Sequence, residues 1–454
     1  MLTPISKIPP EIFAFIPDFW STRDRDRSVI ALTHVCRAWR EVFVSRSSLW
    51  TNFDCLYKEK TRVYFERSKT LPINLSLDLS KGILPCDPFL QIIPHATGRL
   101  RSLSVEGWSE NVEAVTSHLS HPAPLLEHLS IRSNPPCTPG RYPTLPPSFL
   151  NEDLSSLRML HLNFVRAELP CRNMVNLTSF TLSHTPERIS VGQLLDFFEN
   201  APHLETIELC FAIPTTGAQN GRVVSLECLK SMHITDNYPP SVLLDHLSIP
   251  VGAKLEIRKE LLSSLIGEHL PRSLDNLKNF SNFTAIRLQD TDMEFSGPNG
   301  QVKIALWASR ADSTELALES LAEFDTSKTE RLEIEDADLP MGGPLYQALL
   351  PMKDLRTLTL SECISPDILV RALQPATSSS EVMVCPKLEE VIFKPYYPPY
   401  FGEGIACIVE MAAARASRGG KLKTVRIFSR PGTANLDVSE LRKHVWNVEY
   451  VHMD

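Results

Sequence analysis

The sequence predicts an α/β protein built as a solenoid, a curved parallel sheet with helices outside it, preceded by a small all-α unit. Three observations carry this reading: a recurring apolar-x-x-apolar-x-apolar phrase, the spacing of its copies, and its absence from the first fifty residues. The length agrees. A chain of 454 residues exceeds the roughly 100–200 residues of one ordinary domain, whereas an elongated repeat grows without a single large core.

The phrase opens at Leu100-Arg-Ser-Leu103-Ser-Val105 and returns at Leu126/Leu129/Ile131, Leu157/Leu160/Leu162, Leu177/Phe180/Leu182, Leu204/Ile207/Leu209 and Leu229/Met232/Ile234. Successive copies start 26, 31, 20, 27 and 25 residues apart. Weaker copies fall at Leu255/Ile257, Phe283/Ile286/Leu288, Ile304/Leu306 and Leu332/Ile334, and strong ones return at Leu355, Leu388 and Leu422. Leucine-rich repeats have a period of roughly 20–29 residues and this same strand phrase, so a leucine-rich-repeat solenoid is expected over 99–454. The last two apolar positions of each copy are two apart and share one face of a strand. Such a strand cannot bury that face alone; stacked copies do.

Between the phrases, Leu194, Leu195, Phe197 and Phe198 have helical spacing, as do Ile405, Ile408, Val409 and Ala412. The proline-rich stretches Pro135–Pro147 and Pro395–Pro399 read as loop insertions. Alternating strand positions are expected to line the concave, solvated face. Among them His161, Glu208, His233, Arg258, Arg287, Arg331, Glu333 and Glu335 are the candidate client-binding residues. Their mixture of charge signs has no catalytic grouping and suits a protein-facing surface. Reversing the charges of Glu333 and Glu335 together is expected to spare the fold and alter only capture of a client.

Residues 8–50 lack the phrase and read as two or three short helices. Pro9 and Pro10 suit a first helical turn, and Glu11 there complements the helix dipole. Leu32, Cys36 and Arg40 are four apart, with Val35 and Trp39 on the adjacent row. Trp39 is expected in the small core. The apolar residues exceed what so small a unit needs, which points to docking on a partner.

In these residues the chain resembles the F-box family: Ile8-Pro9-Pro10-Glu11-Ile12, Val35-Cys36-Arg37-Ala38-Trp39-Arg40 and Leu49-Trp50 match the three parts of that motif in order. The following segment, Val63–Leu77, is similar to the connector of fungal F-box/leucine-rich-repeat proteins. The resemblance implies a substrate-recognition adaptor of a Skp–cullin–F-box-type ubiquitin ligase. Its F-box binds the Skp-type linker subunit, and through it a cullin, while the repeats bind a protein client. Ile8, Pro9, Ile12, Leu32, Val35, Trp39, Leu49 and Trp50 stand where the family has its linker-binding and helix-packing positions. The expected division is 1–55 for the F-box-like unit, 56–98 for a connector helix and capping repeat, and 99–454 for the solenoid. The charged bridge Phe19–Ser28 departs from the family spacing. The alternative is a repeat scaffold without a ligase role, its N-terminal helices capping the solenoid.

Other classes find little support. There are 35 prolines but only 18 glycines, no Gly-x-Gly-x-x-Gly and no Walker loop, so no nucleotide cofactor is expected. No Gly-x-Ser-x-Gly elbow occurs, and His118 and His121 lack the His-Glu-x-x-His pattern of a zinc site, so neither catalysis nor a metal is expected. The carboxylates of Glu315–Asp338 read as a solvated helix followed by a repeat strand. A net charge of −8 without a basic stripe argues against nucleic acid. No apolar run approaches the ~18 residues of a membrane span, and the start lacks a signal-peptide core. A cytoplasmic or nuclear location is expected, with the ten cysteines as reduced, small buried hydrophobes.

Overall fold

A computed structural model describes residues 29–54, 58–80, 95–135, 141–146, 149–152, 154–166, 168–169, 174–185, 189–214, 221–259, 270–271, 274–280, 282–289, 292–306, 310–321, 324–335, 343–361, 371–373, 383–394, 401–429 and 437–452. The chain divides into two units, Met1–Glu208 and Leu209–Asp454. Both are α/β with mostly parallel strands.

In the first unit, a helical segment at 29–32 breaks at a turn over 33–35, and α1 (Arg37–Ser45) follows. A single 3-10 turn, Ser47–Trp50, leads into β1 (Asn52–Asp54), then α2 (Lys58–Arg67) and β2 (Ile73–Leu79). Strands β1 and β2 pair in parallel with Asn52 opposite Asn74, so strand pairing already begins inside the segment expected to be all-helical. The turn is anchored by Trp50, 1% exposed. Its ring meets Tyr64 of α2 edge-on at 4.8 Å, and the Arg67 guanidinium lies 4.3 Å above it.

The recurring phrase becomes β3 (Leu100–Gly107), β4 (His128–Ser133), β5 (Met159–Asn163) and β6 (Ser179–Ser183), paired in parallel from β2 onward. Two apolar columns run across these strands: Leu75, Leu103, Leu129, Leu160, Phe180 and Leu77, Val105, Ile131, Leu162, Leu182. Every one of these side chains is buried. The first leucine of each phrase closes a turn, its N–H donating to the carbonyl three residues back: Leu126 to Ala123, Leu157 to Leu154, Leu177 to Met174 and Leu204 to Ala201. The next residue hands the ladder on. The Arg158 carbonyl accepts from Thr178 and Ser179, and the Thr178 carbonyl from Glu205 and Thr206.

The connecting segments include α3 (Ser109–Thr116) and α4 (Val191–Glu199). Helix α4 starts on a capping box, Ser190 with Gln193, and its helically spaced Leu194, Leu195, Phe197 and Phe198 are buried as expected. Part of the Pro135–Pro147 stretch is more than a loop, since Thr144 forms a parallel bridge with Arg166. The unit boundary falls within β7 (Thr206–Cys210).

The second unit has β8 (Val224–Ser225), β9 (Ser231–Thr235), α5 (Ser241–Leu244), β10 (Leu247–Ser248) and β11 (Lys254–Lys259). Then come β12 (Ala285–Gln289), β13 (Asp292–Gly297), β14 (Gly300–Leu306) and α6 (Arg310–Leu321). The chain continues through β15 (Arg331–Glu335), α7 (Gly343–Leu349), β16 (Thr357–Ser361), β17 (Glu390–Lys394), α8 (Phe401–Ser417), β18 (Thr424–Ser429), α9 (Leu441–His444) and β19 (Asn447–His452).

Here one sequence expectation needs correction. The weak copies at Phe283 and Ile304 are not successive parallel repeats. Strand β13 lies between them and runs antiparallel to both, and the spatial order is β11–β14–β13–β12–β15. The Pro298-Asn299 connection is too short for a parallel crossover, so β13 and β14 must fold back on one another. Gly300 takes φ +138° at this turn, and a Cβ on Gly297 would lie 2.8 Å from the Asn282 carbonyl oxygen. Phe280, Phe283, Phe295 and Phe324 form the aromatic core of this meander, with ring centroids 5.0–5.8 Å apart.

The thiols are less uniformly buried than expected: Cys385 is inside, Cys210 and Cys407 are half-buried, and Cys36 and Cys228 are exposed. Among the described residues, no helix is long and apolar enough to cross a membrane.

Candidate functional site

Two surfaces hold the residues that the sequence singles out. The first surrounds the N-terminal helices. Ile8, Pro9 and Ile12 lie outside the described residues. Val35 is 58% exposed and Ile30 37%, while Leu32 and Trp39 are half-buried. The turn at Thr33 is stapled by its own hydroxyl, which donates to the Ile30 carbonyl oxygen at 2.7 Å, and by Arg40 Nε, which donates to the Thr33 carbonyl oxygen at 2.9 Å. This break projects Val35 outward instead of continuing a helical stripe.

Leu49 and Trp50 take up helix-packing positions of the motif read in the sequence. Both are buried, with Phe43 fully covered beside them, so they hold the module together and offer no surface to a partner. Among the described residues of this module the buried tryptophan is Trp50. Trp39 is half-buried and leans on Phe43, at 5.8 Å between centroids.

The second surface is the sheet face opposite the apolar columns. Two of the eight candidate residues, His161 and Glu208, belong to the first unit. His161 sits between Ser130 and Thr181 in register, and Thr181 Oγ1 donates to Glu208 Oε2 at 3.5 Å. Burial holds the His161 imidazole below its usual pKa, and Arg132 adds to this; the carboxylates of Glu208 and Glu106 pull the other way.

The other six lie in the second unit. There the register places His233, Glu256, Lys303, Glu294, Arg287 and Glu333 side by side on adjacent strands, alternating in sign from Glu256 onward. The row ends Thr359, Ile392, Arg426, Glu449. Arg287 pairs with Glu335 and, at 3.8 Å, with Glu333, which also meets Lys394 Nζ at 3.7 Å. Glu256 lies 2.9 Å from the Arg258 guanidinium and 3.5 Å from His233 Nδ1. Arg426 Nε is 2.7 Å from Glu449 and Nη2 is 3.4 Å from Glu390.

The hydrogen bond to Glu335 raises the Arg287 pKa. Burial pushes Glu256 up, but the Arg258 hydrogen bond and the nearby cations outweigh it and leave this carboxyl low. These groups answer one another, so the face is a nearly neutral lattice. Arg331 is different: it is exposed and, among the described residues, holds no ion pair.

Lys303, Glu294 and Asp292 were missed from sequence because they belong to the antiparallel meander. The Gly297-Pro-Asn-Gly300 turn between alternating strands was the available signal. A shallow cleft opens where β9 and β11 end, lined by Ile234, Asp236, Pro240, Ile257, Arg258, Lys259 and Ile304. The Asp236 carboxylate there accepts the Ile213 and Tyr238 N–H groups at 2.8 and 3.0 Å, a loop-bracing role. Among the described residues, no three His, Cys, Asp or Glu side chains converge as a metal site. No family model matches the chain, and no curated protein matches its sequence.

Proposed function

We propose that this protein is the substrate-recognition adaptor of a Skp–cullin–F-box-type ubiquitin ligase, with an N-terminal F-box and a leucine-rich-repeat client domain. One observation carries the reading. Ile30 and Val35 are exposed, and Leu32 and Trp39 half-buried, beside a core that among the described residues holds Val29, Phe43, Leu49, Trp50 and Tyr64. Apolar side chains that a small module does not need for itself are what a linker subunit would bury. The client domain works by binding alone, and the proposal places the protein in the cytoplasm or nucleus.

The test is co-expression with a Skp-type linker subunit followed by size-exclusion chromatography. A stoichiometric complex is expected, lost in Val35→Asp. Because Val35 is exposed, this substitution leaves Trp50 and β1 in place, which deletion of residues 1–55 would not. A complex that survives Val35→Asp removes this surface from the linker contact, and failure to co-elute with both proteins folded refutes the adaptor.

A second reading, the scaffold without a ligase role, is favoured by the Trp50 anchor. The indole joins α1 to α2, and β1 pairs with β2, as a cap on the strand ladder would do. Retention of the fold without linker binding is its expected outcome.

A further inference from the structure

Helix α9 and the turn that follows it carry a feature unrelated to either surface. Trp446 is 75% exposed. Its main chain is held in place, since the Trp446 backbone N–H donates to the Leu422 carbonyl oxygen at 3.2 Å and the Asn447 backbone N–H to that of Lys423 at 2.9 Å. The Lys421 ammonium stands 4.4 Å from the ring centroid, covering one face of the indole with a cation. Arg442, Lys443 and His444 precede the tryptophan on α9, and Arg418 is the residue directly after α8, the helix that packs against α9.

Lys443 is answered by Glu440 at 2.6 Å and Lys423 by Glu389 at 2.8 Å. Among the described residues, Arg418 and Arg442 hold no ion pair. Basic residues closing a short helix complement its dipole, which accounts for Arg442 and Lys443 but not for a nearly bare indole among them.

We propose that Trp446 with Lys421, Arg418 and Arg442 is a docking surface for an acidic peptide segment of a partner protein. Its carboxylates meet the guanidinium groups, and an apolar side chain covers the indole. Charge complementarity selects this occupant. The patch is positive on a chain of net charge −8, so a short acidic segment is attracted locally, while a long polyanion such as nucleic acid is repelled by the remainder. The inference does not depend on the adaptor reading and survives its failure.

The test uses the full chain and fluorescence anisotropy at about 50 mM salt, where such contacts are screened least. The probes are a short labelled peptide of Glu-Glu-Leu triplets, its Gln-Gln-Leu counterpart and an oligothymidylate of similar length. The acidic peptide is expected to bind while the other two do not. Trp446→Ala, and Arg418→Glu with Arg442→Glu, should each weaken binding about tenfold or more, with an unchanged melting temperature. Equal binding of both peptides, unchanged affinity in the variants, preference for the oligonucleotide, or no binding of the acidic peptide overturns the proposal.

Discussion

The indole N–H of Trp50 donates to the carbonyl oxygen of Phe43 at 2.9 Å. Phe43 lies in the last turn of α1, whose carbonyls have no partner within the helix. A side chain seven residues downstream thus closes the helix and fills the space above Tyr64. Truncating it, Trp50→Ala, is expected to cost about 3–5 kcal/mol and to lower the helical signal of the N-terminal module. Trp39→Ala, at a half-buried ring, should cost less than half as much. Equal losses in chemical denaturation would put Trp39 back in the core.

Arg415 of α8 is fully buried, and no carboxylate faces it among the described residues. Its Nη1 and Nη2 donate to the Val384 and Cys385 carbonyl oxygens at 2.8 Å each. Burial lowers the pKa of this guanidinium and pushes the adjacent Cys385 thiol up to about 12. Arg415→Ala removes the donor to the Val384 carbonyl, leaves the Cys385 carbonyl only the Leu388 N–H, and opens a cavity, an expected loss of about 3–5 kcal/mol. Arg415→Met fills the space without satisfying the carbonyls, and should recover part of the loss in the same denaturation experiment. Cys385 should resist thiol reagents in native protein at neutral pH, and react once the protein is unfolded.

Reversing Glu333 and Glu335 together is expected to cost stability, where the sequence alone suggested a spared fold. Both carboxylates face Arg287, and Glu333 also faces Lys394. Lysines at 333 and 335 on β15 would gather with Arg287 on the adjacent β12 and Lys394 on β17, one strand further on, and like charges this close repel. The double reversal should cost about 1–2 kcal/mol, discounted for side chains that stay partly in solvent. The loss should shrink in high salt and be partly restored by adding Arg287→Glu. A melting temperature equal to wild type would show that the lattice contributes nothing.

For His161 the pH effect follows from a folded pKa held below the unfolded one. Below the unfolded value near 6.5, the unfolded chain takes up a proton that the folded chain resists. Stability is therefore lost as pH falls through that region toward the folded pKa, and regained as pH rises. Between about pH 7.5 and 5, wild type should lose more stability than His161→Asn, measured as the difference in denaturation midpoints. Parallel pH profiles for the two proteins would show that His161 titrates alike in both states.

Much of the fold was legible because burial writes itself at a period of two. Leu103/Val105 and Leu160/Leu162 name both the strand and its inward face without reference to anything distant. Helices α4 and α8 were legible for the same reason at a period near four. The meander was not. Met293 and Phe295 alternate like any repeat strand, and nothing local states that their neighbours run the other way. Trp39 was expected in the small core because Val35 and Trp39 read as a helical row beside Leu32, Cys36 and Arg40, a row that the turn at 33–35 interrupts. The charged face was legible position by position, yet its pairings depend on strand order, so the partners of Arg287 could only be seen once β12 stood beside β15.

The inverted strand order also bears on how the second unit comes together in time. From β1 to β6 and from β15 to β19 each strand pairs with the next to be synthesised, a short search that favours fast zipping. Strand β11 has no such successor. Its partner β14 emerges only after β12 and β13, and must first be turned back by the Gly297–Gly300 hairpin. The meander therefore has to assemble as a block before the ladder can pass through it. A ribosome stalled between β13 and β14 would hold β9 and β11 without the strand that completes them.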